Sequence, residues 1–357
     1  MVALTLFIQV MIRFLLYLVF LFAVNTNASN ASTNTLTPDL PSSSILPLSS
    51  LKNPVYETQS SLRDPSVYKD KNGYHLYYSR FDQSRGNWGN DSAWSVREVL
   101  TPDFVHYEND HAISPDGYAS PGDVVFWGGR YVIPYQKYPG TPKELCFSES
   151  KDLKSWTSPK SFLGEALSLP WNVMKRAIDP SFVIDGNTLH CFFIGSRIVP
   201  TLDGHGTMHA NLLGHAITTD PELKQWKILT TDKPLIGTSD SAPDGVENIM
   251  VFKTGKEWTM IYSEGLTHQH LARATSPDLV NWKLQGPIQL SPQSWMKSRY
   301  GAPYVFSDGN GGWVMILMGE AARKQVENAK GEVAGKTTLG LLTSPEGKTW
   351  TLLPEKH

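Results

Sequence analysis

The chain has 357 residues, which leaves room for one large domain or two ordinary ones. Its 32 Lys and Arg against 34 Asp and Glu leave a net charge of −2, without the basic excess of a dedicated nucleic-acid binder. With 40% hydrophobic and 18% charged residues, a sizeable core is expected and wholesale disorder is excluded.

Phe14 to Val24 is an apolar run preceded by Arg13 and followed by small polar residues. This is the layout of a secretory signal over residues 1–24, with cleavage expected between Ala23 and Ala31. The apolar run is short for a membrane span, although residues 1–24 together suit an uncleaved anchor. The expected location is therefore secreted or periplasmic, with no membrane contact beyond that N-terminal segment. Residues 25–50, rich in Asn, Ser, Thr and Pro, read as a linker. Asn27, Asn30 and Asn90 head glycosylation sequons. Cys146 and Cys191 make at most one disulfide and are read first as buried thiols.

From residue 51 to the end one pattern recurs five times: a small or acidic residue near a Pro, an apolar strand, a Gly-containing turn, and a second aromatic-rich strand. The copies open at Arg63-Asp64-Pro65, Pro121-Gly122-Asp123, Ile178-Asp179-Pro180, Val246-Glu247-Asn248 and Gly301-Ala302-Pro303. Each second half is a strand, a Pro/Asp/Gly turn and an outer strand expected to close on an aromatic: Tyr107, Trp156, Trp226, Trp282 or Trp350. Four short antiparallel strands repeated around a ring predict an all-β, five-bladed β-propeller with four-stranded blades over 51–357. An irregular β-sandwich would not repeat a two-part motif. In a propeller the links between second and third strands, and those between copies, line the pocket face. The long insertions 81–94, 196–211, 264–270 and 319–336 fall in those links.

Asp64, Asp179 and Glu247 each stand where an innermost strand begins, with Asp123 in the corresponding place in copy two and Ala302 in copy five. Ring-equivalent positions converge on the axis, so these carboxylates are expected to share one well. Shared charge pushes their pKa values apart, so that one stays protonated as another ionises. That is the division of labour glycosidic cleavage requires. For Asp123 a structural or substrate-contact role is expected.

The three motifs, in this order, resemble the five-bladed propeller glycosidases of glycoside hydrolase family 43 and its relatives, over about residues 55–353. By that resemblance Asp64 matches the base that activates water, Glu247 the acid that protonates the leaving oxygen, and Asp179 the carboxylate that orients the acid and raises its pKa. The resemblance implies inversion of configuration, a plant or algal poly- or oligosaccharide as substrate, and no cofactor. The chain departs from the pattern in having Glu247-Asn248-Ile249 where Glu-Gly-Pro is usual, and Ala302 where many relatives carry a His that holds a central water or cation. No bound metal is expected. Invertase-like relatives have Asn-Asp-Pro in copy one, whereas this chain has Arg63-Asp64-Pro65. Neoagaro-oligosaccharide hydrolases share an early Arg-Asp-Pro-Ser and are assigned a His acid, which makes His268 the alternative proton donor. A retaining or His-assisted glycosidase, or a non-catalytic carbohydrate-binding propeller, are the competing readings.

His205 with His209, and His268 with His270, have spacings seen in zinc sites but no acidic or Cys partner beside them, so substrate hydrogen bonding or plain loop positions are expected. Arg63, Arg176, Arg197 and Arg299 fall near pocket loops, and Arg299 is expected to pair with a catalytic carboxylate. Trp88, Trp171 and Trp295 are loop aromatics suited to stacking on a sugar face or to filling the core.

Overall fold

The structure, a computed structural model, describes residues 46–201, 203–266, 269–322 and 335–356. The expected signal segment, the sequons at Asn27 and Asn30, and His268 lie outside the described residues. Among the described residues, helix occurs only as short 3-10 turns, and none is long and apolar enough to cross a membrane.

The strands form five antiparallel blades. The first contains β1 (Ser61–Asp70), β2 (Gly73–Phe81), β3 (Trp94–Thr101) and β4 (Glu108–Ala112). In the second, the innermost strand is split into β5 (Tyr118–Ala119) and β6 (Val125–Trp127). Both pieces pair with β7 (Arg130–Lys137), which is followed by β8 (Leu145–Ser150) and β9 (Lys160–Ser161). The third blade is β10 (Ile178–Asp185), β11 (Thr188–Pro200), β12 (Thr207–Thr218) and β13 (Lys227–Ile228). The fourth is β14 (Val246–Thr254), β15 (Glu257–Glu264), β16 (His270–Ser276) and β17 (Lys283–Pro287). The fifth is β18 (Arg299–Ser307), β19 (Trp313–Glu320), β20 (Thr337–Ser344) and β21 (Thr351–Leu352).

The repeated turn has a local cause. In four blades an Asp carboxylate accepts backbone N–H groups two and three residues on or further, as Asp278 does from Val280 and Asn281 and Asp220 does from Glu222 and Lys224. A left-handed residue follows, directly after the Asp in three blades and three residues on in the third: Phe104, Leu153, Leu223 and Leu279 have φ of 60°, 61°, 59° and 63°, and Gly347 takes the position in the fifth blade. The aromatic then folds back, so that Trp226 and Trp282 each donate Nε1–H to the carbonyl of that left-handed Leu. The aromatics therefore end the turn and precede the outer strand, rather than closing it, because the carbonyl they reach belongs to the turn.

Apolar clusters lie between neighbouring blades. Phe192, Ile194 and Leu213 of the third pack against Val246, Val251 and Met260 of the fourth. Leu62, Leu76 and Tyr78 of the first meet Val314, Ile316 and Leu339 of the fifth. Leu46 and Leu51 join this last cluster, so the end of the stretch read as linker is packed into the propeller. Residues 53–56 continue the edge of the fifth blade: Val55 N–H donates to Leu339 O, Leu339 N–H to Tyr56 O, and Asn53 N–H to Pro354 O. The buried Asn53 side chain donates to Leu341 O and accepts from Leu341 N–H, replacing a missing strand partner.

Candidate active site

Each innermost strand kinks at one position. Asp64, Ser120, Asp179, Asn248 and Ala302 all have left-handed φ, between 48° and 53°. In four blades the register slips by one residue there, and in the second the strand breaks. These five are the true ring equivalents. Asp123 lies three residues beyond the kink at Ser120, and Glu247 lies one residue before the kink at Asn248. Asp and Asn accept this conformation more readily than most residues.

The kinks are tied blade to blade. Ser120 N–H donates to Ser79 Oγ, Asp179 N–H to Gln136 Oε1, and Ala302 N–H to Ser263 Oγ. In the third blade the equivalent second-strand residue is Ile194, which offers no acceptor, and Asn248 N–H donates to Asp179 Oδ2 instead. The Asn248 side chain also reaches Asp64 Oδ1 at 3.2 Å, so one residue bridges two of the three carboxylates.

Asp64, Asp179 and Glu247 line one pocket of about 420 Å³, together with Arg63, Trp88, Trp94, Gln136, Tyr138 and Arg176. Asp64 Oδ2 accepts from Ser79 Oγ at 2.8 Å and from Ser120 Oγ at 3.3 Å. Glu247 Oε1 accepts from Gln269 Nε2 at 2.6 Å, and Oε2 from Asn211 Nδ2 at 3.3 Å. Gln269 reaches it across Gly301, where a Cβ would come within 2.3 Å of Gln269 Oε1. Burial pushes the Asp179 carboxyl up to about 7, helped by the charges of Glu247 and Asp64. Burial also raises Glu247, against the pull of Arg299, Arg63 and Arg176. The pocket therefore combines two carboxyls raised above their ordinary range with a third, Asp64, fixed by two hydroxyls and an amide.

The remaining candidates fall as follows. The Arg63 guanidinium lies 5.0 Å over the Trp88 ring, and Trp88 donates Nε1–H to Tyr138 OH at 2.6 Å, so both border the pocket. Arg176 lines it, while Arg299 influences Glu247 electrostatically and has Nε 3.4 Å from Glu320. Arg299 thus pairs with Glu320 while its charge also acts on the pocket carboxylate Glu247. Asp123 lies in a second cavity along the axis, accepting from Ser181 Oγ and Phe182 N–H. It belongs to the seam between the second and third blades rather than to the pocket, because the kink sits at Ser120. Trp171 and Trp295 are buried: Trp171 donates to Thr230 O, and Trp295 packs over Gly319 and Gly340. Cys146 and Cys191 are buried free thiols. Among the described residues, no group of three or more His, Cys, Asp or Glu side chains could hold a metal ion.

Sequence reasoning missed Asn248, Ser120, Gln136, Asn211 and Gln269. The only signal for Ser120 and Asn248 is their place directly before Pro121 and Ile249, matching Asp64 before Pro65.

No family model and no curated protein matches the sequence. Solved structures share the fold. A thermostable family-43 glycoside hydrolase is similar with a TM-score of 0.61 and 16% identity, over 86% of this chain and 98% of that one. The GH43_1 enzyme from Xanthomonas citri, complexed with xylotriose, has a TM-score of 0.55 and 13% identity, over 84% and 92%. A family 117 glycoside hydrolase of the marine bacterium Zobellia galactanivorans has a TM-score of 0.57 and 15% identity, over 84% and 90%. The chain is thus similar in fold to propeller glycoside hydrolases across nearly the whole length of each.

Proposed function

We propose that the chain is an exported glycoside hydrolase that cleaves plant or algal poly- or oligosaccharides with inversion. The observation that carries this is the convergence of Asp64, Asp179 and Glu247 from three blades on one pocket, with two of the three carboxyls raised. The fold shared with propeller glycosidases, one of them holding xylotriose, supports a sugar as ligand.

In this reading Asp64 is the base. Ser79 and Asn248 fix its two oxygens, and it takes a proton from a water whose oxygen attacks the anomeric carbon. As the bond to the leaving oxygen breaks, Glu247 gives that oxygen its proton. Gln269 holds Glu247 Oε1 closely, which leaves Oε2, with its longer 3.3 Å contact, as the oxygen that delivers the proton. Like charge between Asp179 and Glu247 keeps the two from ionising together, so the pair retains the proton that Glu247 gives. Inversion requires room for water between base and acid.

The test is a screen of the purified protein against oligosaccharides of arabinan, xylan, galactan and agar, followed by Glu247→Gln and Asp64→Asn on whichever is cleaved. Each substitution is expected to lower turnover at least about a hundredfold, the usual scale of acid or base loss. Turnover retained in either variant contradicts that residue's role.

A further inference from the structure

The third blade differs from the others above the pocket. Its second and third strands run for 13 and 12 residues, against 8 or 9 and 6 to 8 in the other four blades. The extra length makes a hairpin arm whose register is unbroken from Leu189↔Thr218 to Pro200↔Thr207.

Side-chain alternation fixes which way this arm faces. Phe192, Ile194 and Leu213 pack against the fourth blade, and side chains two apart on a strand share a face. Ser196 and Ile198 on β11, with Asn211 and His209 on β12, therefore continue that face outward. The contact from Asn211 Nδ2 to Glu247 Oε2 confirms the direction. Directly opposite one another, and one step further out, stand Ile198 and His209. Ile198 is 42% exposed, and His209 is exposed as well. Two residues of strand place them about 7 Å beyond Asn211.

The proton donor defines the leaving-group side of a glycosidase, because the oxygen it protonates departs with that group. Resting on the reading of Glu247 as the acid, we infer that Ile198 and His209 form the binding site for the sugar residue that leaves. The aliphatic side chain suits the C–H face of a pyranose or furanose ring, and the imidazole suits its hydroxyls. The substrate class is then an oligosaccharide with at least one sugar on the leaving side, rather than a glycoside of a small alcohol. Ile198 and His209 are specificity-determining residues and take no part in proton transfer.

The test compares two substrates with the same sugar on the non-leaving side: the oligosaccharide cleaved in the screen, and the corresponding glycosyl fluoride. Fluoride is too small to reach the arm and needs little acid assistance. For Ile198→Asp and His209→Ala, kcat/KM is expected to fall at least about tenfold more on the oligosaccharide than on the fluoride, mainly through KM, with Tm within a degree or two of the parent. Equal losses on both substrates, or none, overturn the inference. Glu247→Gln separates the two readings, since loss of the acid lowers kcat on the oligosaccharide and largely spares the fluoride. Should Glu247→Gln cut both substrates alike, the assignment of the acid fails, and the leaving-group site fails with it.

Discussion

Asp179 has the most contested environment in the pocket: its Oδ2 accepts from Asn248 N–H, its own N–H is held by Gln136, and Glu247 and Asp64 press on its charge. A carboxyl raised in the folded state binds its proton more tightly than in the unfolded chain. Stability therefore falls as pH rises from the unfolded value near 4 to about 7. Asp179→Asn is expected to gain about 1 kcal/mol or more relative to the parent between pH 5 and pH 8, measured by denaturant unfolding at both values. The same substitution removes the carboxyl with which Glu247 shares a proton, so the basic limb of the kcat/KM profile is expected to move to lower pH. An unmoved limb contradicts Asp179 as modulator. Asp64 and Asp179 were legible in the sequence because each stands before a Pro at the start of an apolar strand. Glu247 was legible as the acidic residue at the start of its apolar strand, although it sits one residue before the kink at Asn248. Asn211 and Gln269 left no trace, because which face of a strand meets Glu247 depends on a register that composition does not encode.

The turn motif is the clearest element-scale device. Asp278 accepts from Val280 N–H, Asn281 N–H, Asn281 Nδ2 and Ser276 Oγ, which hold its carboxyl well below the ordinary range. Its stabilising contribution is present above the unfolded pKa and is lost as pH falls towards the folded one. Asp278→Ala is expected to cost about 1–2 kcal/mol at pH 7, with a smaller loss at pH 3, in thermal unfolding. Equal losses at both pH values would show that the charge does not matter. The repeat of this motif made the five-fold organisation readable. The exact place of the aromatics was not, because Trp226 and Trp282 sit at a boundary where turn and strand share one residue. The long β11 and β12 were visible as an insertion over 196–211, but not as an arm, since its mixed polar and apolar residues show no strand alternation.

At the scale of the whole molecule, closure depends on the segment that directly follows the stretch read as linker. Asn53 supplies both a donor and an acceptor to Leu341, and Val55 and Tyr56 bond to Leu339, so the first described residues latch the fifth blade. Asn53→Ala leaves the Leu341 N–H and C=O without those partners, and a loss of about 2 kcal/mol or more is expected, read as a lower Tm. An unchanged Tm would place the latch elsewhere. The ring itself matters because it converts residues far apart in sequence into one pocket, which Asp64 and Glu247 enter from different blades. If water enters from Asp64 as the leaving oxygen takes its proton from Glu247, the anomeric centre must turn over. Proton NMR of the first-formed sugar, recorded before mutarotation, tests this directly. The account predicts a product anomer opposite to the substrate's, and a product that first appears with the substrate's own configuration would contradict it.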